Sequence, residues 1–489
     1  MMNVKMSGNK IIFNLLWRFA ERSGAQFVTF FVSIILARIL EPSVYGIVAL
    51  VTVFITILNV FVDSGLGNSL IQKKDADDLD FSSVFYANIV FCLVLYTLLF
   101  FAAPIIAKFY SMSDLTAVVR VMGLIIVISG VKNVQQAYVS RNMMFKRFFY
   151  STLVGTIGAA IIGIVMAYMG FGVWALVGQY LFNTVVDTCV LWFTVEWKPK
   201  LCFSWHRLKC LYSFGWKLLA SSLIHTIYTN IRQLIIGKLY TSENLAMFNK
   251  GKHFPAVIVN NVNNSIDSVL FPAMSNIQDS KENVKKMMRT SMRVSGYIMW
   301  PLMLGLATVS EPLVELLLTE KWLGCVPYLR IFCITEAFQP IHTSNLNAIK
   351  AMGRSDMFLK LEVIKKILGI IILLIAMNFG VFAICCSLLV YNIIALLINT
   401  WPNRKLLGYT YIAQIKDIFP FIILSIIMCV PVYVLSYLPL HNIVILILQV
   451  LAGIIVYIIE SIVFKIDTFK FVYEKATDIL HIKSKATRD

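Results

Sequence analysis

Long apolar segments alternate with short polar ones along the whole chain. An α-helix needs about 20 mostly apolar residues to cross the hydrocarbon core of a bilayer, and each apolar segment reaches that length. The pattern therefore predicts an all-α polytopic membrane protein with fourteen transmembrane helices. These lie roughly at 11–40, 44–70, 82–109, 115–140, 147–170, 171–195, 211–240, 244–274, 291–310, 323–350, 357–379, 380–401, 415–438 and 441–465.

Basic residues concentrate in every second loop between these segments. One such loop carries Lys281, Lys285 and Lys286, whereas the intervening loops "MGFG", "NFGVF" and "SYLPLHN" carry no Lys or Arg. Loops rich in Lys and Arg stay on the cytoplasmic side of a membrane. The alternation therefore predicts that both termini are cytoplasmic.

Short sequence matches indicate an internal repeat. "APIIAKFY" resembles "EPLVELLL", and "FGVWAL" resembles "FGVFAI", both at an offset of 208 residues. "LARILEPSVYG" aligns with "IGKLYTSENLA" near an offset of 200. The first and seventh spans begin on the same side, so the repeats are parallel. We expect two six-helix lobes in a pseudo-twofold arrangement, followed by two further helices.

The repeat and the span positions together predict the domain organisation. The expected parts are an N-terminal lobe (1–200), a C-terminal lobe (201–408), two additional transmembrane helices (409–465) and a basic cytoplasmic tail (466–489). In the tail, Phe469, Val472 and Tyr473 have the spacing of an interfacial amphipathic helix, and a disordered tail is the alternative.

Composition excludes several classes of protein. Hydrophobic residues make up 59% of the chain, which is too much apolar surface for a soluble domain to bury. The net charge of +17 is spread over short loops, which fits an anionic inner leaflet better than nucleic acid. Nine cysteines show no CxxC pair, so neither a disulfide framework nor a metal site is predicted. We expect no cofactor beyond a coupling H⁺ or Na⁺.

A polar stripe runs along the first span. At about 100° per residue, Arg18, Arg22, Gln26 and Ser33 share one helix face, with Glu21 beside it. Charge inside a span costs several kcal/mol unless it faces a cavity or a partner. Snorkelling to the inner interface would explain the arginines, but it would not explain a polar face that continues to Ser33. The stripe therefore indicates a lined cavity.

The seventh span repeats this design. Lys217, His225 and Arg232 share a face there. Arg232 lies several turns from the inner end, and the alternative for it is snorkelling to the outer interface. His225 has the chemistry of a proton-coupling group, although a histidine alone within a span more often has an ordinary hydrogen-bonding role, and that interpretation is favoured here.

Cations and amides outnumber acids among the intramembrane positions, which favours an anionic cargo that carries sugars. We predict pyrophosphate binding by Arg18, Arg22, Arg232 and Lys217. Amides offer both donors and acceptors to sugar hydroxyls, and contacts between helices are the alternative role for them. The predicted sugar-binding residues are Gln26, Asn133, Gln136, Asn260, Asn264 and Asn347. The candidate ion-coupling groups are Glu21, Asp63, Asp187, His225 and Glu336.

Several segments resemble a known family. "FVSIILARILEPSVYGIVALVTVF", "DSGLGNSLIQKKD", "VFYANIVF", "APIIAKFY" and "AYVSRNMMFKR" are similar to the polysaccharide transport family. This is the oligosaccharide flippase branch of the multidrug/oligosaccharidyl-lipid/polysaccharide exporter superfamily. The chain resembles most the flippases of bacterial lipopolysaccharide and exopolysaccharide biosynthesis. Its Pro-x-x-Tyr-Gly turn has Val44 where members often carry an acid, a change we expect to leave function untouched.

The resemblance implies a function and partners. It implies translocation of an undecaprenyl-pyrophosphate-linked oligosaccharide across the bacterial plasma (inner) membrane for lipopolysaccharide, capsule or exopolysaccharide synthesis. It also implies ion-coupled alternating access between two lobes around a cationic cavity, with arginines on the first and seventh helices, where Arg18, Arg22 and Arg232 lie. The implied partners are the lipid-linked oligosaccharide, membrane lipids, and glycan polymerase and assembly proteins.

Two other functions are compatible with a polytopic helical protein. A small-molecule or drug antiporter on the same scaffold would usually take cationic cargo, for which an acidic cavity would suit better. A membrane glycan polymerase or ligase would need a sizeable outward loop, and the longest candidate, "SEPLVELLLTEKWLG", is short and partly apolar. The chain has no P-loop, G-x-S-x-G or H-E-x-x-H motif. We therefore predict no catalytic residues and no enzyme activity.

Overall fold

The fold is helical throughout the part of the chain that the structure describes. A computed structural model describes residues 8–63 and 66–486, and every regular element in these two ranges is a helix. Helices satisfy their own backbone hydrogen bonds, which a bilayer requires of any spanning segment. The predicted all-α class is confirmed.

The chain forms two compact units, Met1–Ala246 and Met247–Asp489. Over the residues that the structure describes, the first unit contains eight helices and the first turn of a ninth. These eight are α1 (Gly8–Ile39), α2 (Pro42–Asp63), α3 (Leu66–Gln72), α4 (Asp78–Tyr110), α5 (Leu115–Arg141), α6 (Phe145–Tyr168), α7 (Val173–Thr194) and α8 (Trp205–Leu239).

Close helix packing holds the first unit together. Helix α6 packs against both α1 and α7, while α5 packs against α2, α4 and α7. Glycines allow α6 to approach α7 closely: a Cβ added to Gly155 would lie 2.8 Å from Asn183 Oδ1, and one added to Gly163 would lie 3.2 Å from Gln179 Cβ. Small residues at such crossings are typical of membrane helix pairs.

Helix α8 belongs to the first unit, where it packs against α2, α3 and α4. Ion pairs at its start contribute to this contact. Arg207 Nη1 lies 2.7 Å from Asp77 Oδ2 and 3.3 Å from Asp80 Oδ2, and Lys73 Nζ lies 2.6 Å from Asp80 Oδ2. The lobe boundary predicted at 200 follows the sequence repeat, whereas packing divides the chain at 246. The repeat boundary remains a prediction.

The second unit contains the remainder of α9 and nine more helices. They are α9 (Ser242–Ser275), α10 (Lys281–Thr308), α11 (Ser310–Leu318), α12 (Val326–Ala337), α13 (Gln339–Ala351), α14 (Ser355–Ala376), α15 (Val381–Leu407), α16 (Tyr411–Val434), α17 (Asn442–Val463) and α18 (Asp467–Ala486).

Two segments of this unit differ from the sequence prediction. The span predicted at 323–350 is two helices, α12 and α13, because Pro340 at the start of α13 cannot donate the hydrogen bond that would continue α12. The predicted outward loop "SEPLVELLLTEKWLG" is helix α11 followed by a 3₁₀ turn, Glu320–Cys325, and α11 bends by 66° from α10. The basic tail forms helix α18 over Asp467–Ala486, which agrees with the helical and not with the disordered alternative.

The number of membrane spans is confirmed only in part. Within 8–63 and 66–486, eight helices are long and apolar enough to cross a membrane, or nine if the bent pair α10 and α11 is one span. They coincide with predicted spans, so the protein is a multi-pass helical membrane protein. The other predicted spans, such as those of α1, α8 and α9, coincide with helices that carry more charged and amide side chains. The count of fourteen remains a prediction.

Three fully buried amides join α13, α15 and α16. Asn345 Nδ2 donates to Gln414 Oε1 at 3.0 Å, and Gln414 Nε2 donates back to Asn345 Oδ1 at 3.1 Å. Asn403 Nδ2 donates to the same Oδ1 at 2.8 Å. Two donors therefore share one acceptor in an apolar interior, so the cluster fixes how the three helices pack.

We expect Asn345→Ala to destabilise the protein by about 1–3 kcal/mol, because the buried Gln414 Nε2 loses its acceptor, whereas Asn403 Nδ2 keeps the backbone carbonyl of residue 345. Thermal unfolding in detergent measures the effect. Asn378→Ala is the matched control, because its exposed amide donates to the Leu374 carbonyl of its own helix. Equal melting temperatures for Asn345→Ala and wild type would show that the cluster adds nothing to stability.

Candidate functional site

Among the predicted phosphate-binding cations whose side chains the structure describes, Arg232 on α8 is the buried one. Only 7% of its surface is exposed, and the Nε and Nη2 atoms are enclosed by protein. A Cβ added to Gly237, five residues further on, would lie 2.9 Å from Leu50 Cδ1, so α8 runs close to α2 there. The Arg232 side chain is therefore buried in protein, which argues against snorkelling to the outer interface.

The other members of the α8 stripe are accessible. Lys217 and His225 are exposed, and both precede Arg232 along the helix. On α1, Gln26 is exposed as well. The side chains of Arg18, Arg22 and Asp63 lie outside the described residues. The α8 stripe therefore runs from accessible positions, Lys217 and His225, to one enclosed cation, Arg232.

Two predicted acids of the first unit have partners on neighbouring helices. Glu21 is buried on α1, and Thr152 Oγ1 of α6 donates to its Oε1 at 3.2 Å. Asp187 Oδ2 on α7 lies 2.8 Å from Lys132 Nζ on α5, and both side chains are 15% exposed. Asp187 lies alone in its predicted span, but it is not isolated in the structure, because α5 places Lys132 beside it.

The amides predicted on α5 face protein rather than open space. Asn133 is buried beside α3, where a Cβ added to Gly67 would lie 2.9 Å from its Oδ1. Gln136 is half-buried. Sequence reasoning missed the neighbouring Gln135, which is fully buried and donates to the Trp197 carbonyl at 3.0 Å. Such contacts fit the helix-joining role of amides as well as a sugar-binding role.

In the second unit, the predicted amides divide into exposed and buried ones. Asn260 and Asn264 are exposed on α9. Asn347 on α13 is fully buried, and its Nδ2 donates to Asp267 Oδ1 of α9 at 2.8 Å. Thr343 Oγ1 donates to Asn263 Oδ1 at 2.7 Å, which adds a second bond between the same helices. Asn347 therefore joins α9 to α13. Glu336 is half-buried on α12.

Sequence reasoning also missed two buried polar pairs of the second unit. Lys365 Nζ lies 2.5 Å from Glu362 Oε1, with 7% of the lysine side chain exposed. His342 Nδ1 lies 3.0 Å from Asn399 Nδ2, between α13 and α15. The sequence does indicate the first pair, because Glu362 and Lys365 are opposite charges three residues apart within one predicted span.

The chemistry of the described site residues is that of binding. The described part of the chain holds no cluster of three or more His, Cys, Asp or Glu side chains able to bind a metal ion. The first unit contains a buried guanidinium, exposed cations on the same helix, and buried amides. An enclosed guanidinium binds phosphate oxygens through paired, charge-assisted hydrogen bonds.

Similar proteins act in bacterial polysaccharide synthesis. The chain is 24% identical to the teichuronic acid biosynthesis protein TuaB of Bacillus subtilis (strain 168), over 61% of this chain and 62% of that protein. It is 23% identical to the succinoglycan biosynthesis transport protein ExoT of Rhizobium meliloti (strain 1021), over 70% and 69%. It is 24% identical to the lipopolysaccharide biosynthesis protein WzxC of Escherichia coli (strain K12), over 82% of each.

The fold is also similar to that of solved membrane proteins. The inward closed conformation of the lipid II flippase MurJ matches with a TM-score of 0.73 and 15% sequence identity, over 94% of this chain and all of that one. A family model described as "Polysaccharide biosynthesis protein" matches residues 35–327, which is more than half of the chain. The protein therefore belongs to the polysaccharide biosynthesis protein family.

Proposed function

We propose that this protein is a flippase that moves an undecaprenyl-pyrophosphate-linked oligosaccharide from the inner to the outer leaflet of the bacterial plasma membrane. The observation that carries the proposal is the buried Arg232 on α8, a helix that also exposes Lys217. Cations inside a membrane protein commonly mark the pathway of a substrate. Family membership, a relative named as a transport protein and the flippase-like fold support a lipid-linked polysaccharide precursor as that substrate.

In the proposed cycle, cations bind the pyrophosphate and amides bind the sugars. Arg232, Lys217, Arg18 and Arg22 form the cationic lining of a cavity open to the cytoplasm. The exposed amides are the sugar-facing groups, Gln26 in the first unit and Asn260 and Asn264 in the second, while the long polyprenyl chain stays outside the cavity. The two lobes contain six spans each, and the last two helices lie outside the repeat. A rearrangement of the lobes then closes the cavity to the cytoplasm and opens it to the outer face. No covalent bond forms or breaks.

A coupling ion drives this exchange in the proposal. The candidate groups are Glu21, Asp63, Asp187, His225 and Glu336. Asp187 already has a cation at 2.8 Å, Lys132, so uptake of H⁺ or Na⁺ there competes with an existing ion pair. The glycan polymerase and assembly proteins that use the product at the outer face are the expected partners, and both termini are cytoplasmic.

Transport by purified protein in liposomes tests the proposed function. Labelled undecaprenyl-pyrophosphate oligosaccharide is placed in the inner leaflet, and its arrival outside is scored by a membrane-impermeant sugar-modifying enzyme. We expect crossing that depends on the protein, with protein-free liposomes as the control. Efflux of a small organic cation without any crossing of lipid-linked glycan would favour the antiporter function instead.

A further inference from the structure

A groove of about 800 Å³ lies within the first unit, between α4 and the first half of α8. Helix α4 contributes Ala87 and Phe91, and α8 contributes Trp205, Tyr212 and Trp216. The wall is apolar and largely aromatic, with Lys209 as its charged member. The aromatic side chains on α8 are not packed into the protein core, since Trp205 is 70% exposed and Tyr212 is 55% exposed. The groove therefore opens on the flank of the unit, where a membrane protein meets lipid chains.

The groove spans the cytoplasmic half of the proposed membrane region. Ala87 lies nine residues after the start of α4 at Asp78, or about 14 Å along the helix. Lys209 lies four residues after the start of α8 at Trp205, or about 6 Å along it. Both helices begin on the cytoplasmic side in the proposed topology. A chain that enters beside Lys209 would therefore run from the inner interface toward the midplane.

The lining matches one kind of occupant, a polyprenyl chain attached to a phosphate. An isoprenoid chain is apolar, methyl-branched and unsaturated, so it can bury apolar surface against aromatic walls such as those of Phe91, Tyr212 and Trp216. Lys209 at the mouth is an exposed cation of the inner interface, where the phosphate of such a lipid lies. The charge of Lys209 thus complements the phosphate, and the apolar groove complements the isoprenoid chain of the same lipid.

Helix α8 presents this groove beside the polar stripe of the proposed substrate site. Trp205, Lys209, Tyr212 and Trp216 recur at helical spacing and share the groove face, whereas Lys217 begins the stripe about 100° further round. One helix thus offers an apolar surface and a cationic surface on adjoining faces.

We propose that the groove between α4 and α8 binds the polyprenyl chain of the lipid-linked substrate while the cations of α8 hold its pyrophosphate. This inference rests on the proposed flippase function and specifies where the tail of the substrate lies. It predicts that transport depends on the length of the lipid chain.

Filling the groove tests the inference. We expect Ala87→Trp to lower transport of the undecaprenyl-linked glycan by about tenfold at subsaturating concentration, because the displaced chain loses apolar burial. The same glycan on a chain of two isoprene units should change by less than about twofold, since such a short chain gains little from the groove. Val154→Trp, at an exposed site of α6, is the control and should alter neither rate. Equal losses for both chain lengths, or no loss for either, would overturn the inference.

Photocrosslinking gives a readout that does not depend on transport or on the folding of Ala87→Trp. A benzophenone amino acid at position 212 is irradiated in membranes that contain the undecaprenyl-linked glycan, and the adduct is identified by mass spectrometry. An adduct with the polyprenyl chain supports the groove, and adducts with phospholipid acyl chains alone contradict it. If the wild-type protein moves no lipid-linked glycan, the proposed function fails, and the crosslink still decides what the groove binds.

Discussion

Arg232→Ala is expected to reduce transport of a pyrophosphate-linked oligosaccharide by about 100-fold or more. Removing one partner of a buried, charge-assisted pair costs about 2–5 kcal/mol, and each 1.4 kcal/mol corresponds to about a tenfold change. The enclosed position of Arg232 prevents water from replacing the lost guanidinium. Initial rates in liposomes, at equal amounts of inserted protein, measure the effect.

Two variants separate a role in binding from a general loss of positive charge. Arg232→Lys keeps the charge but cannot form the paired hydrogen bonds, so an intermediate rate is expected. Lys238→Ala removes an exposed cation near the end of the same helix, where Lys238 lies 4.3 Å from the centre of the Phe109 ring, and should leave transport unchanged. Transport at the wild-type rate by Arg232→Ala would remove this residue from the proposed site.

Breaking the Lys132–Asp187 pair is expected to give the largest loss of stability. Lys132→Met leaves the Asp187 carboxylate 15% exposed and without the lysine that lies 2.8 Å away. Removing one partner of a buried ion pair costs about 3–5 kcal/mol, because the remaining charge stays desolvated. Thermal unfolding of the purified protein in detergent should show a melting temperature several degrees below that of wild type.

The double variant Lys132→Met/Asp187→Leu should recover most of this stability, since apolar residues of similar size often replace a buried pair without loss. The exposed Lys200–Asp78 pair is the matched control, and Asp78→Asn should change stability little. Single variants as stable as wild type would show that the pair is not structural. If the double variant also keeps the wild-type dependence of transport on pH and Na⁺, Asp187 is not a coupling group.

The amino-acid pattern by itself determined the class of protein and most helix positions. An apolar segment long enough to span a bilayer is expected to form an α-helix, because its backbone N–H and C=O groups find no water there and must form hydrogen bonds within the segment. Helical periodicity placed Lys217, His225 and Arg232 on one face of α8, and the quoted motifs pointed to the family. Helix ends were less predictable, as Pro340 shows: one residue divided a predicted span into α12 and α13.

Only the tertiary structure decided what covers each face. Lys132 on α5 reaches Asp187 from 55 residues away along the sequence, and the role of Asn347 depends on Asp267 of α9. The sequence also did not predict that α8 belongs to the first unit or that a groove lies between α8 and α4. Periodicity reports the direction in which a side chain points from its own helix. The residue that such a side chain contacts depends on which distant helix packs beside it. That pairing is set by packing and ion pairs between helices, which the local sequence does not encode.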